Sequence, residues 1–129
     1  MSARILIIED NLQNLYLARF LLEQAGHMVL QAETGPLGLD MAARERPDLI
    51  LLDIQLPGMD GHSVARAIKS DAKIRSIPVV AVTSYAMAGD REKCLAAGAE
   101  GYIEKPINPE TFVAEVERFL DSPAEVLQT

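Results

Sequence analysis

Leu49-Ile50-Leu51-Leu52-Asp53 is four apolar residues in a row ending on a carboxylate. Successive side chains of a strand point to opposite faces, so an unbroken apolar run belongs to a strand covered on both sides. That is the signature of a parallel sheet. Ile5-Leu6-Ile7-Ile8 and Val79-Val80-Ala81-Val82 have the same form. Weaker strands are predicted for Met28 to Ala32 and for Gly101 to Glu104.

Between these runs the spacing becomes helical. Leu15, Ala18, Leu22 and Ala25 share one face, as do Val113, Val116 and Leu120, with Phe112 and Phe119 widening the second stripe. Punctuation agrees. Asn11 caps the first helix and Gly26 ends it; Gly35-Pro36 opens the second and Pro47 follows it; Asp60 caps the third; Gly98 follows the fourth; Asn108-Pro109 opens the fifth. Five strand–helix repeats make an α/β parallel sheet with right-handed crossovers and helices on both faces. The reading is one domain over residues 1–121 and a short mobile tail over 122–129.

Composition narrows the function. The chain has 129 residues, about half of them apolar, enough for a core without covalent staples. Cys94 is the single cysteine, so no intrachain disulfide forms. The early apolar run is too short for a signal peptide and no stretch is long enough to span a bilayer, so the expected location is cytoplasmic, without membrane insertion. A net charge of −7 argues against direct nucleic-acid binding. The one basic cluster, Arg66, Lys69, Lys73 and Arg75, is interrupted by Asp71 and reads as a solvated helix face and loop.

In an open parallel sheet, ligands bind at the carboxyl ends of the strands. Strand one is followed by Glu9 and Asp10, strand three ends in Asp53, strand four ends in Thr83 and Ser84, and strand five is followed by Lys105 and Pro106. Three acids, a hydroxyl and a lysine therefore converge on one edge. Carboxylates this close repel, so one takes up a proton or a cation binds. A hard divalent ion with oxygen ligands fits, and magnesium needs only one or two carboxylates beside phosphate oxygens. Such an ion beside a carboxylate nucleophile, with a lysine and a hydroxyl for the transferred oxygens, is the equipment of an aspartyl-phosphate site. Each residue alone has a plainer reading: a turn acid, a helix cap, a surface lysine.

The chain resembles the receiver domains of two-component response regulators. The resemblance is carried by Ile7-Ile8-Glu9-Asp10-Asn11, by Leu51-Leu52-Asp53-Ile54-Gln55-Leu56-Pro57-Gly58-Met59-Asp60-Gly61, by Val82-Thr83-Ser84-Tyr85-Ala86, and by Gly98-Ala99 with Tyr102-Ile103-Glu104-Lys105-Pro106. Within the family it looks most like the single-domain, DivK-type regulators of cell-cycle control. The resemblance implies a flavodoxin-like (βα)5 fold with strand order 2-1-3-4-5. It implies Asp53 as phosphoacceptor, Mg2+ held by Glu9, Asp10, Asp53 and the backbone carbonyl of Gln55, Thr83 and Lys105 on the phosphoryl group, a cis Lys105-Pro106 peptide, and Tyr102 as a switch aromatic coupled to Thr83. Glu9 stands where many members have aspartate, a departure expected to change water-mediated metal contacts more than to abolish binding. Gln55 and Tyr85 occupy positions that modulate phosphoryl loss, and bulky Tyr85 is expected to shield the acyl phosphate.

The partners this implies are a sensor histidine kinase or histidine phosphotransfer protein as donor, and a downstream protein that reads the helix four–strand five–helix five face, with the chain a monomer or weak homodimer. It would be a switch catalysing only its own phosphoryl transfer and loss. The open alternatives are the receiver portion of a longer effector protein and a phosphorylation-independent binding module. A haloacid-dehalogenase-type phosphatase needs an acid where Gln55 stands, and neither G-x-G-x-x-G nor a P-loop is present. His27 and His62 lack metal-ligand spacing and read as surface residues. Cys94 reads as packed on the fourth helix, with no histidine near it in sequence, and Met87 as packing near the switch loop.

Overall fold

The computed structural model describes residues 2–84 and 89–120. Tyr85, Met87 and the tail from 122 onward lie outside the described residues. Five strands alternate with five helices: β1 (Arg4–Ile8), α1 (Leu12–Gln24), β2 (Met28–Ala32), α2 (Gly35–Glu45), β3 (Leu49–Asp53), α3 (Gly61–Ser70), β4 (Val79–Thr83), α4 (Asp90–Ala96), β5 (Gly101–Glu104) and α5 (Phe112–Leu120). The strands form one sheet in the order β2-β1-β3-β4-β5, and every pairing is parallel. This is the flavodoxin-like α/β topology.

The continuous apolar runs are explained by two cores. Leu6, Ile8, Ile50, Leu52, Val79 and Ala81 pack with α2, α3 and α4 on one face. Their neighbours Ile5, Ile7, Leu49, Leu51, Val80 and Val82 pack with α1 and α5 on the other. β1, β3 and β4 sit inside the sheet, so both of their faces are covered; each fully buried Leu or Ile there contributes about 1.5–3 kcal/mol. The two weaker strands are the edges. β2 is mostly half-exposed and Met28 is open to solvent, while β5 alternates burial along its length.

Local chemistry sets the helix ends. The side chains of Asn11, Thr34 and Asp60 each accept the backbone N–H three residues on and cap α1, α2 and α3. α1 stops in a Schellman turn: Gly26, at φ +93°, donates to the Glu23 carbonyl and His27 to that of Leu22. Ala25 is the C-cap residue and is exposed, so the buried stripe of α1 ends at Leu22. The fifth helix starts later than its cap sequence predicts. Asn108 caps a preceding turn through Glu110 N–H, and regular helix begins at Phe112, which with Val116 forms the buried centre of the stripe.

Candidate functional site

Parallel register brings the site together. Ile8 pairs with Leu52, so Glu9 emerges beside Asp53. Asp53 pairs with Val82, which sets Thr83 next to it, and Thr83 pairs with Glu104, which delivers Lys105. Two bonds beyond the strands keep this alignment: Ile54 N–H to the Val82 carbonyl (3.1 Å) and Lys105 N–H to the Thr83 carbonyl (2.8 Å). The Lys105–Pro106 peptide is cis. Gly61 lets α3 start directly against β3, because a Cβ there would collide with the Asp53 carbonyl oxygen and the Ile54 backbone.

Glu9, Asp10, Asn11, Asn14, Asp53, Gln55, Ser84, Lys105 and Pro106 line an open cleft of about 640 Å³. Ligand oxygens of Glu9, Asp10 and Asp53 all lie within 4.8 Å of one another. Lys105 Nζ bridges the two buried acids, 2.8 Å from Glu9 Oε1 and 3.2 Å from Asp53 Oδ1. Backbone amides hold both carboxylates, with Asn11 N–H donating to Glu9 Oε2 (3.1 Å) and Gln55 N–H to Asp53 Oδ1 (3.0 Å). One lysine does not balance three acids. Burial, reinforced by the Asp53 carboxylate, pushes the Glu9 carboxyl up to about 7 although Lys105 and the Asn11 amide pull it down. Burial works against the Lys105 ammonium, but the Glu9 and Asp53 carboxylates outweigh it and hold its pKa above the ordinary lysine value.

A proton on Glu9 is one answer to the excess charge; a divalent cation is the other. The donor set fits a hard ion, because every candidate ligand is oxygen and the three acids each offer one within 4.8 Å of the others. Gln55 lines the same cleft, and its side-chain Oε1 accepts from Ser84 Oγ at 2.7 Å.

Thr83 is fully buried at the end of β4. Its hydroxyl donates to Asp90 Oδ2 at 3.4 Å, and the Tyr102 hydroxyl donates to the same oxygen at 3.4 Å. Strand four and strand five are thus tied through one carboxylate in the first turn of α4.

Residues 5–117 match the family described as "Response regulator receiver domain". The chain belongs to this family. As a receiver it is 42% identical over 120 residues to the polar-differentiation response regulator DivK of Brucella anthropi, a match covering 93% of this chain and 98% of that protein. Among solved structures, the receiver domain of a sensor histidine kinase from Pseudomonas aeruginosa is 34% identical with a TM-score of 0.86, covering 95% of this chain and 100% of the other. That structure carries a magnesium ion coordinated in its active-site cleft. A CheY-like receiver domain protein from Methanospirillum hungatei is 31% identical with a TM-score of 0.87, covering 97% and 98% of the two chains. No described helix of this receiver is long and apolar enough to cross a membrane.

Three expectations need correction. His27 is not a surface residue: it is buried, its Nδ1 accepts the Ala3 N–H (3.1 Å) and its Nε2 lies 2.8 Å from Glu117 Oε2. His62 is half-buried, and although it is remote from Cys94 in sequence its Nε2 stands 3.8 Å from Cys94 Sγ. Lys69 does not belong to a freely solvated basic face. Its Nζ donates to the carbonyls of Arg75 (3.0 Å) and Ile77 (2.8 Å) and pairs with Glu100 (2.6 Å). Arg66, Lys73 and Arg75 are exposed. Asp90 was missed because it lies seven residues beyond the end of β4, away from the strand ends where the sequence places the chemistry. Its only sequence signal is its position shortly before the fourth helical stripe.

Proposed function

We propose that Asp53 accepts a phosphoryl group from a phosphohistidine on a sensor histidine kinase or histidine phosphotransfer protein. The observation that carries this reading is the Lys105 ammonium set between Glu9 and Asp53 at the mouth of a three-carboxylate cleft. A carboxylate oxygen of Asp53 attacks phosphorus, the bond from phosphorus to the donor imidazole nitrogen breaks, and an acyl phosphate forms on Asp53. Lys105 shifts from pairing carboxylates to pairing a phosphoryl oxygen, and the Thr83 hydroxyl holds another. Glu9, Asp10, Asp53 and the Gln55 carbonyl would hold Mg2+, which supplies charge neutralisation for the transferred oxygens.

The output is a change of surface. When Thr83 turns toward the phosphoryl group it leaves the Asp90 oxygen that it shares with Tyr102, so the contacts that join β4, α4 and β5 are re-biased together. A downstream protein would read the α4–β5–α5 face, where grooves run past Tyr102, Arg118 and Phe119. Donor docking is supported by an exposed apolar stripe on α1, Leu12, Tyr16 and Phe20 at four-residue spacing, on the helix whose N-cap and first turn carry the cleft residues Asn11 and Asn14. The reading is of a cytoplasmic switch, monomeric or weakly dimeric. Tyr85 is proposed to slow loss of the phosphoryl group, so Tyr85→Ala shortens its lifetime in a decay assay.

Acetyl phosphate and Mg2+ treatment, borohydride trapping and tryptic peptide mass spectrometry test the assignment. A magnesium-dependent product at Asp53, missing in Asp53→Asn, is the expected result. Product formed equally in Asp53→Asn would sink it.

A further inference from the structure

His62, Asp90 and Cys94 meet at the junction of α3 and α4, and phosphoryl transfer uses neither His62 nor Cys94. His62 is the second residue of α3; Asp90 and Cys94 are four apart on α4 and share a face. One ligand atom from each lies within 4.8 Å of the others. The 3.8 Å between His62 Nε2 and Cys94 Sγ is close to the separation around a tetrahedral zinc ion, where Zn–N and Zn–S bonds set nitrogen and sulfur roughly 3.6 Å apart. The far side of the imidazole is also attended. His62 Nδ1 lies 3.8 Å from Asp60 Oδ1, an ion-pair distance, and that carboxylate is fixed by capping α3. Asp60 thus places a carboxylate on the side of the ring away from Cys94.

We propose that His62, Asp90 and Cys94 form a binding site for one divalent ion of the zinc class, clamping the first turn of α3 to α4. The ligand types choose the ion. A thiolate with an imidazole selects zinc-class metals over magnesium or calcium, and three protein ligands leave a fourth position for water or a partner's side chain. The all-oxygen cluster of Glu9, Asp10 and Asp53 selects the opposite way, so two ions sort between two sites by hardness. His62 and Asp90 are half-buried, which leaves two of the three ligands within reach of solvent. Burial, with the Asp90 carboxylate adding to it, pushes the Cys94 thiol up to about 11, so without a metal it is a poor nucleophile. Asp90 already accepts the Thr83 and Tyr102 hydroxyls on Oδ2, and a carboxylate has lone pairs for further partners. An ion here would therefore hold the carboxylate that ties β4 to β5.

The test is a Co2+ titration of the reduced chain in excess Mg2+, followed by displacement with Zn2+. One equivalent should give tetrahedral cobalt bands with a thiolate charge-transfer band, and zinc should abolish both and raise Tm. Cys94→Ala should lose the charge-transfer band. His62→Gln, checked for native circular dichroism, should weaken binding by more than tenfold and lose the Tm gain. No thiolate band in the wild-type chain overturns the proposal, as does undiminished affinity in His62→Gln.

Discussion

The two ends of the sheet carry charge in opposite ways. At the amino ends of the strands charges are matched. The Arg4 guanidinium meets both the carbonyl and carboxylate of Glu45, and the Arg4 amide donates to Asp48. Lys69 meets Glu100, whose carboxylate also accepts the Val79 N–H, and the buried His27 imidazole, with Nδ1 accepting the Ala3 N–H, adds a hydrogen bond with Glu117 rather than a charge pair. At the carboxyl ends three carboxylates share one lysine. Matched charges join the start of one element to another and hold the strands in place. Mismatched charges store a repulsion that a proton or a cation relieves. The functional edge is thus built at a cost in stability that the opposite edge offsets.

Asp53→Asn gives the largest test of this contrast. Magnesium-dependent phosphoryl uptake falls to background, while removal of one crowded charge raises stability in metal-free buffer by about 0.5–2 kcal/mol on urea unfolding. A loss of stability would mean that the acids are not in conflict. His27→Ala attacks the other edge. A cavity plus an unpaired Ala3 amide lowers stability by about 2–4 kcal/mol, with uptake at Asp53 retained; an uptake defect in the still-folded variant would break the separation of the two ends.

Asp60→Ala is a smaller effect, about 1 kcal/mol at neutral pH from loss of the α3 cap. The Ser63 amide, with burial opposing it, holds the Asp60 carboxyl below its ordinary value. A depressed carboxyl stabilises fully above the unfolded pKa and loses that contribution as pH falls through the folded one. The difference from wild type should therefore close in acid, and a gap that persists there would mean that the cap charge is not its source. Arg44→Ala is the smallest. Its pair with Asp40 is exposed and spans one helical turn, so denaturant unfolding should move by less than about 0.5 kcal/mol. A larger change would mean that surface pairs also hold the fold.

How much was legible follows from the kind of signal each residue carries. Central strands announce themselves because both faces are buried and consecutive residues must be apolar. Edge strands β2 and β5 carry half that constraint and read more weakly, yet their positions between turn residues still located them. Glu9, Asp10, Asp53, Thr83 and Lys105 were readable because each follows or ends a strand, and parallel strands aim their ends at one edge. His27 was unreadable. The Ala3 amide and Glu117 that meet it come from the residue before strand one and from helix five, and nothing near it in sequence records them.

The sequence by itself determined the layered architecture, the edge at which chemistry gathers and the residue types gathered there, because periodicity and strand-end position are local properties. Only the tertiary structure decided which acid takes the burden of burial, that one Asp90 oxygen serves both Thr83 and Tyr102, and that His62 faces Cys94. Those are distances between side chains on different elements, set by register and helix packing, and no local pattern encodes them.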